Sequence, residues 1–104
     1  MINRIDLGEI KTRFASFLAS NSINPSMFDF VEFLDSADNE DPAIRLDLFM
    51  DKKSSRFIVF ETGDTSVEVI DSKTNEDIVF DNYEKLTLNE IIEVFEETIE
   101  RYHL

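Results

Sequence analysis

Two runs decide the fold: Ile44-Arg45-Leu46-Asp47-Leu48-Phe49-Met50, then Arg56-Phe57-Ile58-Val59-Phe60-Glu61. In the first, Ile44, Leu46, Leu48 and Met50 alternate with Arg45, Asp47 and Phe49, the period of two that marks a half-buried strand. The second is apolar on both phases, as expected of a strand central to its sheet. Asp51-Lys52-Lys53-Ser54-Ser55 reads as the turn between them, and Thr62-Gly63-Asp64 turns the chain again. Val67, Val69 and Asp71 alternate with Glu68 and Ile70 in a third strand. After the turn Ser72-Lys73-Thr74-Asn75-Glu76, Ile78-Val79-Phe80 opens a fourth. These connections are too short for crossover helices, so the four strands form an antiparallel meander.

On either side of this block the period becomes helical. Leu7, Ile10, Phe14, Phe17 and Leu18 define an amphipathic helix over about residues 6–20, with Asp6 or Asn3 as its cap. Asn24-Pro25 reads as a cap followed by a proline in a first turn, where the missing N–H costs nothing. Met27, Phe28, Val31 and Leu34 then favour a short second helix, while Phe28, Phe30 and Phe33 leave a strand reading open. Asp35-Ser36-Ala37-Asp38-Asn39-Glu40-Asp41-Pro42 is a polar loop. At the other end Thr87-Leu88-Asn89-Glu90 is a capping box, in which hydroxyl and carboxylate satisfy each other's orphan backbone donors. It starts a helix whose stripe is Leu88, Ile91, Ile92, Phe95, Ile99 and Tyr102. The expected architecture is α+β: a four-stranded antiparallel meander flanked by one N-terminal helix (or two) and a C-terminal helix, in a single domain over residues 1–104.

With 42% apolar residues, ten of them Phe, a chain of 104 residues has the material for one core. There is no Cys, which excludes disulfides, zinc–thiolate sites and thiol nucleophiles. The start, Met1-Ile2-Asn3-Arg4-Ile5-Asp6, shows no signal-peptide pattern, and no apolar run approaches the roughly 20 residues of a membrane span. A cytoplasmic location is expected.

The residues also argue against catalysis. The one histidine, His103, is penultimate, where chains fray, and has no recognisable nucleophile partner. Gly8 and Gly63 stand alone, so no phosphate-cradling loop exists, and no GxSxG elbow is present. The acids of the 35–41 loop lack the alternation and central glycine of a calcium loop. No cofactor and no metal are expected. Lys52, Lys53 and Arg56, the only basic cluster, read as charge protection at a turn or sheet edge.

Acidity is the dominant bulk property: 23 Asp and Glu against 10 Lys and Arg give a net charge of −13. Such a field repels nucleic acid and anionic membranes and steers cationic partners inward; it also confers solubility, and charge alone does not separate the two roles. Within the last helix, Glu93, Glu96, Glu97 and Glu100 repeat at i, i+3 and i+4, spacings at which like charges destabilise a helix by a few tenths of a kcal/mol each. Only a Glu97–Arg101 pair offsets them. Asp35, Asp38, Glu40 and Asp41 crowd the polar loop. These eight acids are the candidate contact surface for a basic protein partner.

Arg56-Phe57-Ile58-Val59-Phe60-Glu61-Thr62-Gly63, Val67-Glu68-Val69-Ile70-Asp71 and the turn Thr74-Asn75-Glu76 resemble the central hairpin of small bacterial immunity proteins, most nearly the TriTu type of polymorphic and contact-dependent toxin systems. The family pattern has a Trp where this chain has Phe60 and a Gly where it has Asn75. The resemblance implies an antidote that binds and neutralises a cognate toxin, a nuclease being one possibility. Competing readings are a nucleic-acid mimic of the anti-restriction or anti-CRISPR kind, and an acidic scaffold or regulatory module.

Overall fold

The computed structural model describes residues 4–33, 42–50 and 52–102. The elements run α1 (Leu7–Ser20), a single 3₁₀ turn (Pro25–Met27), β1 (Phe28–Phe33), β2 (Ala43–Phe49), β3 (Lys53–Phe60), β4 (Thr65–Asp71), β5 (Asp77–Tyr83) and α2 (Leu88–Tyr102). The five strands form one antiparallel sheet in sequence order, with β3 at its centre.

The architecture is α+β as expected, but the sheet has five strands rather than four. The segment that favoured a second helix is β1. Asn24 does cap, its Oδ1 accepting the Ser26 N–H at 2.9 Å, yet the helix it starts is one 3₁₀ turn long. The chain then extends, and Phe28 through Phe33 pair residue by residue with Leu48 back to Ala43. Without β1, the buried β2 would be an open edge with apolar residues on it. Pairing satisfies its backbone, which outweighs a weak local helical pattern. β3 also begins earlier than the alternation suggests, because Ser54 and Ser55 pair with Phe49 and Leu48.

One face of the sheet carries both helices. Ile44, Leu46 and Leu48 of β2, Phe57 and Val59 of β3, and Val67 and Val69 of β4 are buried against Ile10, Phe14 and Leu18 of α1 and Ile91, Phe95 and Ile99 of α2. At the centre, the Phe14 and Phe95 rings stack at 3.9 Å, and Phe57 meets Phe95 edge-on at 5.0 Å. Rings of this size anchor a small core through area and geometry together.

Both helices hang from the β3–β4 turn. The Ile5 N–H donates to the Glu61 carbonyl at 2.7 Å just before α1, and the Leu86 N–H donates to the Gly63 carbonyl at 3.0 Å just before α2. Gly63 is required twice over: its φ is +95°, and a Cβ there would fall on the Leu86 carbonyl oxygen. Asn75, at φ 59°, holds the left-handed position of the β4–β5 turn. Asn is among the few non-glycine residues that tolerate it, so a Gly at this point of the family pattern and the Asn here meet one backbone requirement.

Candidate functional site

α2 starts as its capping box dictates. Glu90 Oε1 accepts the Thr87 N–H at 3.0 Å and Thr87 Oγ1 accepts the Glu90 N–H at 3.2 Å. Ile91, Ile92, Phe95 and Ile99 then face the core. At about 100° per residue, Glu93, Glu97 and Glu100 fall on the far side of the helix. All three are exposed, and Glu96 is half-buried. The expected Glu97–Arg101 pair is not among the ion pairs of the described residues, and none of these four acids forms one. Acids elsewhere do pair: Glu61 with Arg4, Glu32 with Lys11, Glu9 with Arg13, and Asp47 with both Arg45 and Arg56.

One flank of α2 lies beside β5, the last strand of the sheet. Val94, Glu97 and Arg101 face Val79, Asp81 and Tyr83 across a groove of about 60 Å³. Small-molecule pockets hold about 300–1,000 Å³, so this groove is no substrate cavity. Burial pushes the Tyr83 phenol above its ordinary pKa of 10.0, with Asp81 and Glu97 adding to the shift and Arg101 opposing it. The local potential is therefore negative on balance. A hollow of about 610 Å³ lies between Ile5, Thr62, Asp64 and Leu86, but the Asp64 carboxylate there already accepts the Lys85 N–H at 3.0 Å and serves the turn. Among the described residues no group of three or more His, Asp or Glu is placed to hold a metal ion.

The second surface was not legible beforehand. Neither helix covers the other face of the sheet, where Asp47 sits between two arginines, its Oδ1 accepting Arg56 Nε–H at 2.8 Å and its Oδ2 lying 3.2 Å from Arg45 Nε. Arg56 lies in the strand its run predicts, and it pairs with a buried acid rather than guarding a turn or sheet edge. Phe49 and Phe80, 55% and 58% exposed, flank this charged row. The signal was present in the apolar out-of-phase positions Phe49, Ile58, Phe60 and Phe80, but periodicity does not say which face helices will cover.

The candidate acids Asp35, Asp38, Glu40 and Asp41 lie outside the described residues, as does His103. The segment holding them joins β1 to β2, whereas α2 flanks β5 at the opposite edge. The structure therefore describes the α2 half of the expected contact surface only. Among the described residues, no helix is long and apolar enough to cross a membrane.

No curated protein and no solved structure matches the chain. A family model does, with the description Immunity protein TriTu, over residues 11–101, a span from α1 through nearly all of α2. That match takes in the hairpins, the capping box and the acidic helix together, and the chain belongs to the TriTu immunity protein family.

Proposed function

We propose that this chain is a cytoplasmic, non-catalytic antidote that neutralises a cognate toxin by laying a negatively charged surface over a basic one. The toxin is the effector of a polymorphic or contact-dependent system, and a nuclease fits best, because an enzyme that grips phosphates must present positive charge. Occlusion is both steric and electrostatic. The chain takes no cofactor, and a field of −13 disfavours direct contact with nucleic acid or an anionic membrane.

The observation that carries this reading is the outer face of α2. Glu93, Glu97 and Glu100 are exposed, repeat along one helix face and have no ion-pair partner among the described residues, whereas Glu9 and Glu32 at the other helix are paired. Repulsion at i, i+3 and i+4 costs the helix a few tenths of a kcal/mol per pair. Approach of a cationic partner removes that cost, and complementary potentials raise the encounter rate. Asp35, Asp38, Glu40 and Asp41 are proposed to extend the contact, with Glu96 at the border of the helix face.

The test is co-expression with the product of the adjacent reading frame. A stable heterodimer in which toxin activity is lost is the expected outcome. Failure of the two products to associate would overturn the reading.

A further inference from the structure

β5 is an edge strand. It pairs with β4 alone, and no described backbone group bonds to its other side. Past the irregularity at its start, where Val69 pairs with Val79 but Ile70 with Asp77, antiparallel geometry turns alternate N–H and C=O groups of residues 79–83 outward, a template for another strand. Natural edges are commonly blunted by proline, charged side chains (lysine above all), bulges or a covering element. β5 contains neither proline nor lysine, and α2 stands beside it with a groove between them rather than over its edge.

The groove's chemistry is ordered along the strand. Val79, Asp81 and Tyr83 share the helix-facing side of β5, opposite Val69, Val67 and Thr65. Across the groove stand Val94, Glu97, Thr98, Arg101 and Tyr102 of α2, so that two carboxylates, Asp81 and Glu97, share it with one guanidinium. A strand lying alongside would thus meet apolar, acidic and apolar surface at every second position. Asp81 on an edge also works as a guard, because a carboxylate there deters uncharged strands. It deters a second copy of this chain for the same reason, since that copy would bring its own Asp81 and its own charge of −13. A lysine or arginine is the residue the position accepts.

We infer that β5 and the adjoining flank of α2 receive an extended segment of the partner, added as a sixth antiparallel or parallel strand, with a Lys or Arg between two apolar residues facing Asp81 and Glu97. This rests on the immunity reading and deepens it. Main-chain hydrogen bonds supply affinity and the alternate side chains supply specificity, as in other strand-addition complexes. The raised pKa of Tyr83 agrees with the arrangement, because it reports a partly desolvated groove held negative by the same two acids.

The test uses the whole ¹⁵N-labelled chain and two end-capped peptides, Val-Thr-Lys-Thr-Val and Val-Thr-Glu-Thr-Val. The lysine peptide is expected to shift amides of residues 77–83 and of Val94, Glu97 and Arg101, and to bind about tenfold more tightly than the glutamate peptide, since a cross-strand charge pair changes sign between them. Asp81→Asn with Glu97→Gln should abolish that preference, while Glu93→Gln should leave it intact. Equal binding of both peptides, or shifts confined to residues outside the groove, would overturn the inference. In the heterodimer, amide exchange in β5 should slow markedly. A heterodimer that forms with β5 exchange unchanged sinks the strand addition and leaves the immunity reading standing, whereas absence of any heterodimer sinks the reading itself.

Discussion

α1 and α2 do the same work on their inner faces and opposite work on their outer ones. Both present Phe and aliphatic side chains to one core, where Phe14 of α1 stacks on Phe95 of α2. Both hang from the β3–β4 turn. Outside, α1 has its charges matched: Arg13 lies 3.8 Å from Glu9, and Lys11 reaches Glu32 at 3.0 Å and sits over the Phe30 ring. α2 carries Glu93, Glu96, Glu97 and Glu100 without an ion pair among the described residues. Packing does not explain this difference, because the inner faces are alike. A row of like charges at these spacings works against the helix that carries it, and this contrast is what the proposed partner-facing role of α2 rests on.

The largest effect tests the shared half of that contrast. Phe95→Ala or Phe14→Ala should each cost about 3–5 kcal/mol, read from urea unfolding, because either removes a ring packed by both helices and β3. If one substitution proved nearly silent, the helices would not share a core. Gly63→Ala should come next, at about 2 kcal/mol or more, through strain at positive φ and a clash with Leu86. It strikes the attachment of α2 and leaves that of α1, so hydrogen exchange should loosen first in the loop before α2.

Smaller costs follow from the caps. Thr87→Ala removes half of the α2 capping box and Asp6→Ala the side chain accepting the Glu9 N–H of α1, each worth about 1 kcal/mol. Smallest in stability is the exchange that matters most for function. Glu93→Lys with Glu97→Lys should change unfolding by only a few tenths of a kcal/mol, and in the stabilising direction if helix repulsion dominates. The same pair should slow association with the toxin, whereas reversal of Lys11 and Arg13 on α1 should not. A pH scan adds a control on the groove. Because the folded Tyr83 pKa is raised above 10.0, stability is unaffected by this residue below that pH and is lost as pH rises through the folded value. Asp81→Asn removes one cause of the raised value and should make that loss smaller.

Much of this was legible in residue spacing. The two helices, the capping box at Thr87 and Glu90, and the meander of β2 to β5 follow from period and turn chemistry alone. β1 was not, because Met27, Phe28, Val31 and Leu34 match a helical stripe locally, and its strand partner, β2, begins ten residues beyond its end in register set by tertiary pairing. The acidic face of α2 was readable as a pattern. That Glu97 adjoins an unpaired sheet edge was not, since helix periodicity does not say which flank meets which strand. The pairing of Arg56 was not legible for a related reason: its partner Asp47 is nine residues away in sequence and opposite only across β2 and β3.

The most direct test is the association rate of the chain with the toxin from the adjacent reading frame, measured from about 10 mM to about 1 M salt, as the screening length falls from about 30 Å to about 3 Å. Steering by the acids of α2 predicts a fall of at least about tenfold across that range, reduced in the Glu93→Lys, Glu97→Lys protein. A rate indifferent to salt and to those substitutions would contradict the account.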